Sequence, residues 1–226
     1  MFTPETLAFL SENHFMNSRE WFAENKERYR KSILEPLMQL TCELAPSLEN
    51  IDSLIVTEPK VDRAISRIYR DIRFAKDKTL YRDMMWLTFK RDKKEFPAYP
   101  EFFFVFSPKE YFYGCGYYSA TADAIQSLQK LILSKSPLFE KARRFYDGQS
   151  DFKIEGDRFK RTRYPDADEK LREWLDCKNI CLMKRSGDIN ELYSEDLSEK
   201  IASDFSKLRP VYNLFIEAEN KKSDAV

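Results

Sequence analysis

Residues 100–118 read Pro-Glu-Phe-Phe-Phe-Val-Phe-Ser-Pro-Lys-Glu-Tyr-Phe-Tyr-Gly-Cys-Gly-Tyr-Tyr, and this stretch decides the fold. Five apolar residues, Phe102, Phe103, Phe104, Val105 and Phe106, run unbroken between Pro100 and Pro108. The run is too short for a helix and too aromatic for a loop, so it reads as a buried strand. Ser107-Pro108-Lys109-Glu110 supplies a tight turn, and residues 111–118 read as the next strand. Upstream, Met85, Leu87 and Phe89 alternate with their neighbours at the period of a strand. Three close strands with short connections favour an antiparallel meander over βαβ units.

Helices flank this centre on both sides. Thr3 and Pro4 stand as N-cap and first helical residue, with Phe2 and Leu7 at the positions of a hydrophobic staple. Asn17 reads as the next cap, with Glu20 three residues on; Phe22, Tyr29 and Ile33 then share a face. Pro36 opens a third helix, carrying Leu37, Leu40 and Leu44, that ends near Pro46. Downstream, helices are expected over 121–134, from Ser136-Pro137 to Gly148, and over 168–175. Residues 149–166 read as irregular, and Ile180 with Leu182 as an edge strand. Leu197, Ile201, Phe205 and Leu208 lie on one helical face, and Pro210 should kink or restart that helix. The order of helices, strands and helices predicts an α+β protein. We expect one domain over 1–220, an antiparallel or mixed sheet packed by the terminal helices, and a frayed tail over 221–226.

The chain has 226 residues, with 38 basic and 38 acidic side chains, so its formal charge is zero. That balance argues against a protein that coats nucleic acid by bulk charge. His14 is the single histidine, which excludes two-histidine catalytic centres. The longest stretch free of Asp, Glu, Lys and Arg is 111–122, far short of the roughly 20 apolar residues a membrane helix needs. Cys42, Cys115, Cys177 and Cys181 read as free thiols without metal-ligand spacing. With no basic, apolar leader at the N-terminus, the expectation is a cytoplasmic protein with no cofactor, no bound metal and no membrane contact. Gly114-x-Gly116 lacks the third glycine of a dinucleotide loop and reads as a close backbone approach.

Charge is nevertheless uneven. Residues 60–95 hold 12 basic and 6 acidic side chains. If residues 66–70 are extended, Arg67 and Tyr69 share one face, while Ser66, Ile68 and Arg70 share the other. Ile68 then draws Arg70 inward, where Asp71 or Asp77 must partner it. Arginine forks suit phosphate and carboxylate. The leading expectation is therefore a small anionic ligand held by Arg67, Arg70, Arg73, Lys76 and Lys78, with Tyr69 or Tyr81 hydrogen-bonding it. Asp71, Asp77 and Glu20 are the candidates should an acid or base operate there. A second basic patch comprises Arg158, Lys160, Arg161 and Arg163. The alternatives are a non-enzymatic module docking an acidic protein, and contact with RNA or single-stranded DNA, which ranks last.

The motifs at Phe2-Thr3-Pro4-Glu5-Thr6-Leu7, at Asn17-Ser18-Arg19-Glu20-Trp21-Phe22 and above all at residues 67–79 (Arg-Ile-Tyr-Arg-Asp-Ile-Arg-Phe-Ala-Lys-Asp-Lys-Thr) resemble a family. It is a widespread family of bacterial and fungal conserved hypothetical proteins, domain of unknown function 2461. Fainter echoes are Gly114-x-Gly116, the Lys160-Arg161 region, Asp204-Phe205 and Pro210. The resemblance spans most of the chain and implies no reaction. It does set Arg19, Glu20 and Trp21 beside the basic loop. Leu80 and Ala120 stand where members usually carry Pro, and Pro165-Asp166 follows Tyr164 where Asp-His-Pro is common.

Overall fold

Pro4 opens α1 (Pro4–Met16) as expected, and the backbone N–H of Thr3 donates to Thr6 Oγ1 at 3.1 Å. In the computed structural model, which describes residues 1–222, Asn17 does not cap the second helix. It ends the first in the left-handed conformation (φ 46°), and Ser18 takes over as the cap of α2 (Arg19–Glu24), its Oγ accepting from Trp21 N at 3.2 Å. A short α3 (Lys26–Tyr29) follows. It runs through a π-helical turn, Arg30–Leu34, directly into α4 (Glu35–Ile51). The wide turn frees the carbonyl of Ser32, and buried Thr6 Oγ1 donates to it at 2.8 Å, tying α1 to the turn.

Pro36 stands in the first turn of α4, as expected, although the π-helical turn leads into that helix without a break; Pro46 does not end it, and α4 continues to Ile51. The reason is the face on which each residue lies. Leu37, Leu40, Leu44, Leu48 and Ile51 are buried, whereas Pro46 is exposed, so water can satisfy the backbone group the ring leaves unpaired.

The sheet contains β1 (Met85–Phe89), β2 (Glu101–Phe106), β3 (Tyr111–Gly116), β4 (Lys153–Glu155) and β5 (Cys181–Ser186). It is antiparallel, in the order β1-β2-β3-β5-β4. The expected meander is its first half. The second half differs from expectation. Residues 181–186 form an interior strand, and the edge is β4, lying inside the segment read as irregular and pairing Ile154 with Leu182. In β2 the apolar run is not buried on both faces alike. Phe102, Phe104 and Phe106 are fully buried, while Phe103 and Val105 are half-exposed. The later helices are α5 (Ala122–Leu133), α6 (Pro137–Asp147), α7 (Glu169–Leu175), α8 (Leu197–Lys207) and α9 (Arg209–Lys222). The break before Pro210 is the expected restart. Helix α9 takes in residues 221 and 222 of the stretch expected to fray, and 223–226 lie outside the described residues.

This α+β chain packs as two compact units whose segments interleave in sequence. The first comprises Met1–Phe89, Phe103–Phe112 and Arg185–Ser203. Its core holds Phe9, Leu10, Ile33, Leu37 and Leu87, and Phe2 lies on the rings of Phe104 and Phe106. The second comprises Lys90–Phe102, Tyr113–Lys184 and the chain from Asp204 onward. There α5 and α6 pack on α9, and Phe102 meets Phe205 and Tyr212 at ring separations of 5.0 and 5.1 Å. Among the described residues no helix is long and apolar enough to cross a membrane.

Candidate functional site

A hairpin-like loop in the first unit carries the basic motif. Tyr69 and Tyr81 form an antiparallel bridge, with Arg70 N donating to Leu80 O at 2.8 Å and Arg82 N to Ile68 O at 2.9 Å. The expected alternation holds: Ser66 and Ile68 are buried, Arg67 and Tyr69 exposed, and Arg70 half-buried. Helix α1 anchors the loop. Asn17 Oδ1 accepts from Leu80 N at 2.7 Å, and the His14 ring Nδ1 lies 3.1 Å from the carbonyl oxygen of Tyr81. Leu80 thus contributes an N–H that a proline there would lack.

Between this loop and the α2–α3 segment lies a cleft of about 410 Å³. The helical wall is Arg19, Phe22 and Ala23 of α2, at positions i, i+3 and i+4, with Lys26 from the start of α3. The loop wall is Tyr69, Arg70, Ile72, Leu80 and Tyr81. Phe22, Tyr69 and Tyr81 form a ring cluster, with centroids 5.4 Å (Phe22–Tyr69), 5.1 Å (Phe22–Tyr81) and 5.1 Å (Tyr69–Tyr81) apart. No carboxylate lines the cleft. Among the described residues neither Arg19 nor Lys26 forms an ion pair. Arg70 pairs with Asp77, the partner that the inward turn of Arg70 demanded. The Tyr81 hydroxyl is buried; burial first, then the neighbouring Tyr69 hydroxyl, push its pKa up to about 12.

Of the residues singled out in the sequence, Tyr69, Arg70 and Tyr81 line the cleft. Arg67 turns away to Asp62, which accepts its Nη2 at 2.6 Å. Arg73 pairs with Asp71 at 2.7 Å, and Lys78 Nζ donates to the carbonyl of Ile72 at 2.9 Å, closing the loop on itself. Lys76 is exposed, as is Phe74 at the loop's outer side. Arg158, Lys160, Arg161 and Arg163 are exposed in the second unit, where Arg163 covers the Phe159 ring at 3.9 Å.

The acid-base candidates are committed elsewhere. Asp77 accepts from Thr79 Oγ1 (2.5 Å), from Arg70 and from Thr79 N (2.9 Å), and these hold it well below the usual carboxylate range. The side chain and then the backbone N–H of Arg73 bring Asp71 down to about 2. Glu20 is lowered by the Ser18 hydroxyl and by its own backbone N–H. None of the three lines the cleft. Among the described residues no group of three or more His, Cys, Asp or Glu side chains is placed to hold a metal ion.

Sequence reasoning reached Arg19 only as a neighbour of the loop and missed Phe22, Ala23, Lys26, Ile72 and Leu80. The available signal was the cation-aromatic-small-cation spacing of 19, 22, 23 and 26.

The central motif over residues 67–79 builds one wall of the cleft, and the motif over 17–22 begins the other. The chain belongs to the family DUF2461, conserved hypothetical protein. The DUF2461 model matches residues 5–214, which covers both walls and nearly the whole fold. A search of curated proteins returns no match.

Proposed function

We propose that this DUF2461 protein binds a small anionic ligand, bearing phosphate or carboxylate, in the cleft between α2–α3 and the loop of residues 69–81. One observation carries the reading: Arg19, Lys26 and Arg70 converge on a concavity that no carboxylate enters, and two of the three have no ion-pair partner. Cations gathered around a concavity raise the local concentration of anions and favour one that bridges them. The volume suits a small molecule, since ligand pockets run from about 300 to 1,000 Å³. A module docking an acidic protein would be served better by a flat basic face. The lowered pKa values of Asp71, Asp77 and Glu20 favour binding over proton transfer, because a general base works best with a pKa near the operating pH. That none of the four cysteines forms a disulfide supports a reducing, cytoplasmic setting.

A thermal-shift screen with phosphates, sugar phosphates, nucleotides and di- and tricarboxylates tests the proposal. A ligand at 100 times its Kd adds about 2.7 kcal/mol, which raises the midpoint of a chain this size by about 5–10 °C. We expect such a shift from at least one small anion. It should vanish in Arg19→Ala/Lys26→Ala, whose own midpoint stays within a few degrees of the parent. A shift that persists in that variant, or the absence of any shift at millimolar anion, rejects the cleft as an anion site.

A further inference from the structure

The lining of the cleft narrows the ligand further, and this step rests on the anion-binding reading above. We propose that the ligand is an aromatic phosphate monoester, its ring stacked on Tyr69 and its phosphate held by Arg19 and Lys26. Two independent features point there. The first is charge. Arg19, Lys26 and Arg70 bring three positive charges, and the two carboxylates that act on them, Asp77 paired to Arg70 and the solvent-exposed Glu20 near Arg19, lie outside the lining. A phosphate monoester carries about −1.5 to −2 at pH 7, whereas a sulfonate or monocarboxylate brings only one negative charge. The arginine fork matches phosphate oxygens in pairs, and the lysine adds a point charge.

The second feature is the ring platform. Tyr69 is braced edge-on by Phe22 and leans on Tyr81, yet 48 % of it remains open to solvent at the cleft wall. Nothing in the packing requires that exposure, and a braced, open aromatic ring beside cations is how proteins stack ring-bearing anions. Arg19 on α2 and Lys26 on α3 stand on the same wall of the cleft. Phe22 and Ala23 lie beside them in the lining, so an apolar surface adjoins the cations. The small side chain of Ala23 leaves room at the centre for a planar group.

Calorimetric titration of the whole chain with phenyl phosphate, inorganic phosphate and benzenesulfonate tests this. We expect phenyl phosphate to bind at least tenfold more tightly than either of the others. Tyr69→Ala should remove the preference for phenyl over inorganic phosphate, while Tyr69→Phe keeps it. Arg19→Ala/Lys26→Ala should weaken both phosphates by tenfold or more. Equal binding of phenyl and inorganic phosphate, with both lost in the double variant, overturns the ring and leaves the anion site standing. Equal binding of phenyl phosphate and benzenesulfonate overturns the dianion. If no phosphate responds to the double variant while its unliganded midpoint is preserved, the anion site itself falls and this proposal with it.

Discussion

Two buried carboxylates show how differently one side chain can be used. Asp204, 5 % exposed, accepts from Tyr113 Oη at 2.7 Å, Lys207 Nζ at 2.7 Å and Lys184 Nζ at 3.0 Å. Burial raises its pKa, but the bonds from Lys207, Tyr113 and Lys184 outweigh that and hold it below the usual value. Its contribution to stability is thus present above the unfolded-state pKa of about 4 and lost as pH falls through the lower folded value. Asp204→Asn should cost about 1–2 kcal/mol at pH 7, because Lys207 and Tyr113 lose a charged acceptor while Lys184 keeps Asp151 at 3.1 Å, and should flatten the loss of stability on acidification. Glu101 is the opposite case. Burial dominates and raises its pKa, and Lys90 at 2.8 Å only partly offsets this. The folded state then favours the protonated form, so ionisation costs stability as pH rises through the unfolded value toward the folded one. Because the Lys90 head remains partly in water, Glu101→Gln should leave stability at pH 7 unchanged or raise it by up to about 1 kcal/mol. Urea unfolding between pH 3 and 8 reads both variants; a stabilised Asp204→Asn would sink the account of that cluster. At this scale the sequence was partly legible. The turn of Arg70 toward an acidic partner followed from Ile68, but the choice of Asp77 depends on the loop that Thr79 and Lys78 close.

Strand β3 explains the spaced glycines at the scale of elements. A Cβ on Gly114 would stand 2.0 Å from Leu182 O, and one on Gly116 would stand 2.3 Å from the Cα and Cβ of Cys181. Both are backbone or near-backbone contacts on β5 that cannot swing aside. Gly116→Ala must therefore part the two strands, and we expect a loss of more than about 2 kcal/mol in equilibrium unfolding. At Gly187, just beyond β5, an added Cβ would meet nothing within 4 Å, so Gly187→Ala should be neutral or stabilise by about 0.4–1 kcal/mol. Equal losses from both variants would show that the close approach does not matter. The glycine spacing was readable as a close approach, as were the meander and most helix starts, because caps, prolines and period-two alternation are local. What misled were features decided by distant packing. Pro46 looks like a stop until one sees it lie on the wet side of α4. The π-turn is set by Thr6 reaching Ser32, 26 residues away. Residues 153–155 are too few and too polar to announce a strand without β5 beside them.

For the molecule as a whole, the zero net charge and the cationic cleft are compatible because the excess is local. Acidic residues elsewhere in the chain, part of them in 187–226, offset the basic stretch of 60–95 in the sum, but among the described residues no carboxylate lines the cleft. The α+β class was legible from the order of elements alone. The cleft was not, because 19, 22, 23 and 26 follow the same period as any helix face and acquire meaning only when the loop of 69–81 is set against them. Local charge also fixes how binding should respond to salt. At 0.15 M the screening length is about 8 Å, so attraction beyond the cleft is already weak, and the contacts that remain number at most three cations. Phenyl phosphate affinity should then fall by no more than about tenfold between 50 and 200 mM salt. A protein tracking a polynucleotide through six to ten phosphates loses about 10³–10⁵ over that range. Titrating a labelled single-stranded oligonucleotide in parallel separates the two. A steep slope for the oligonucleotide, with no dependence on Arg19 or Lys26, would move the function to the exposed cations at 158–163, whereas weak, shallow oligonucleotide binding beside a Tyr69-dependent phosphate site keeps it in the cleft.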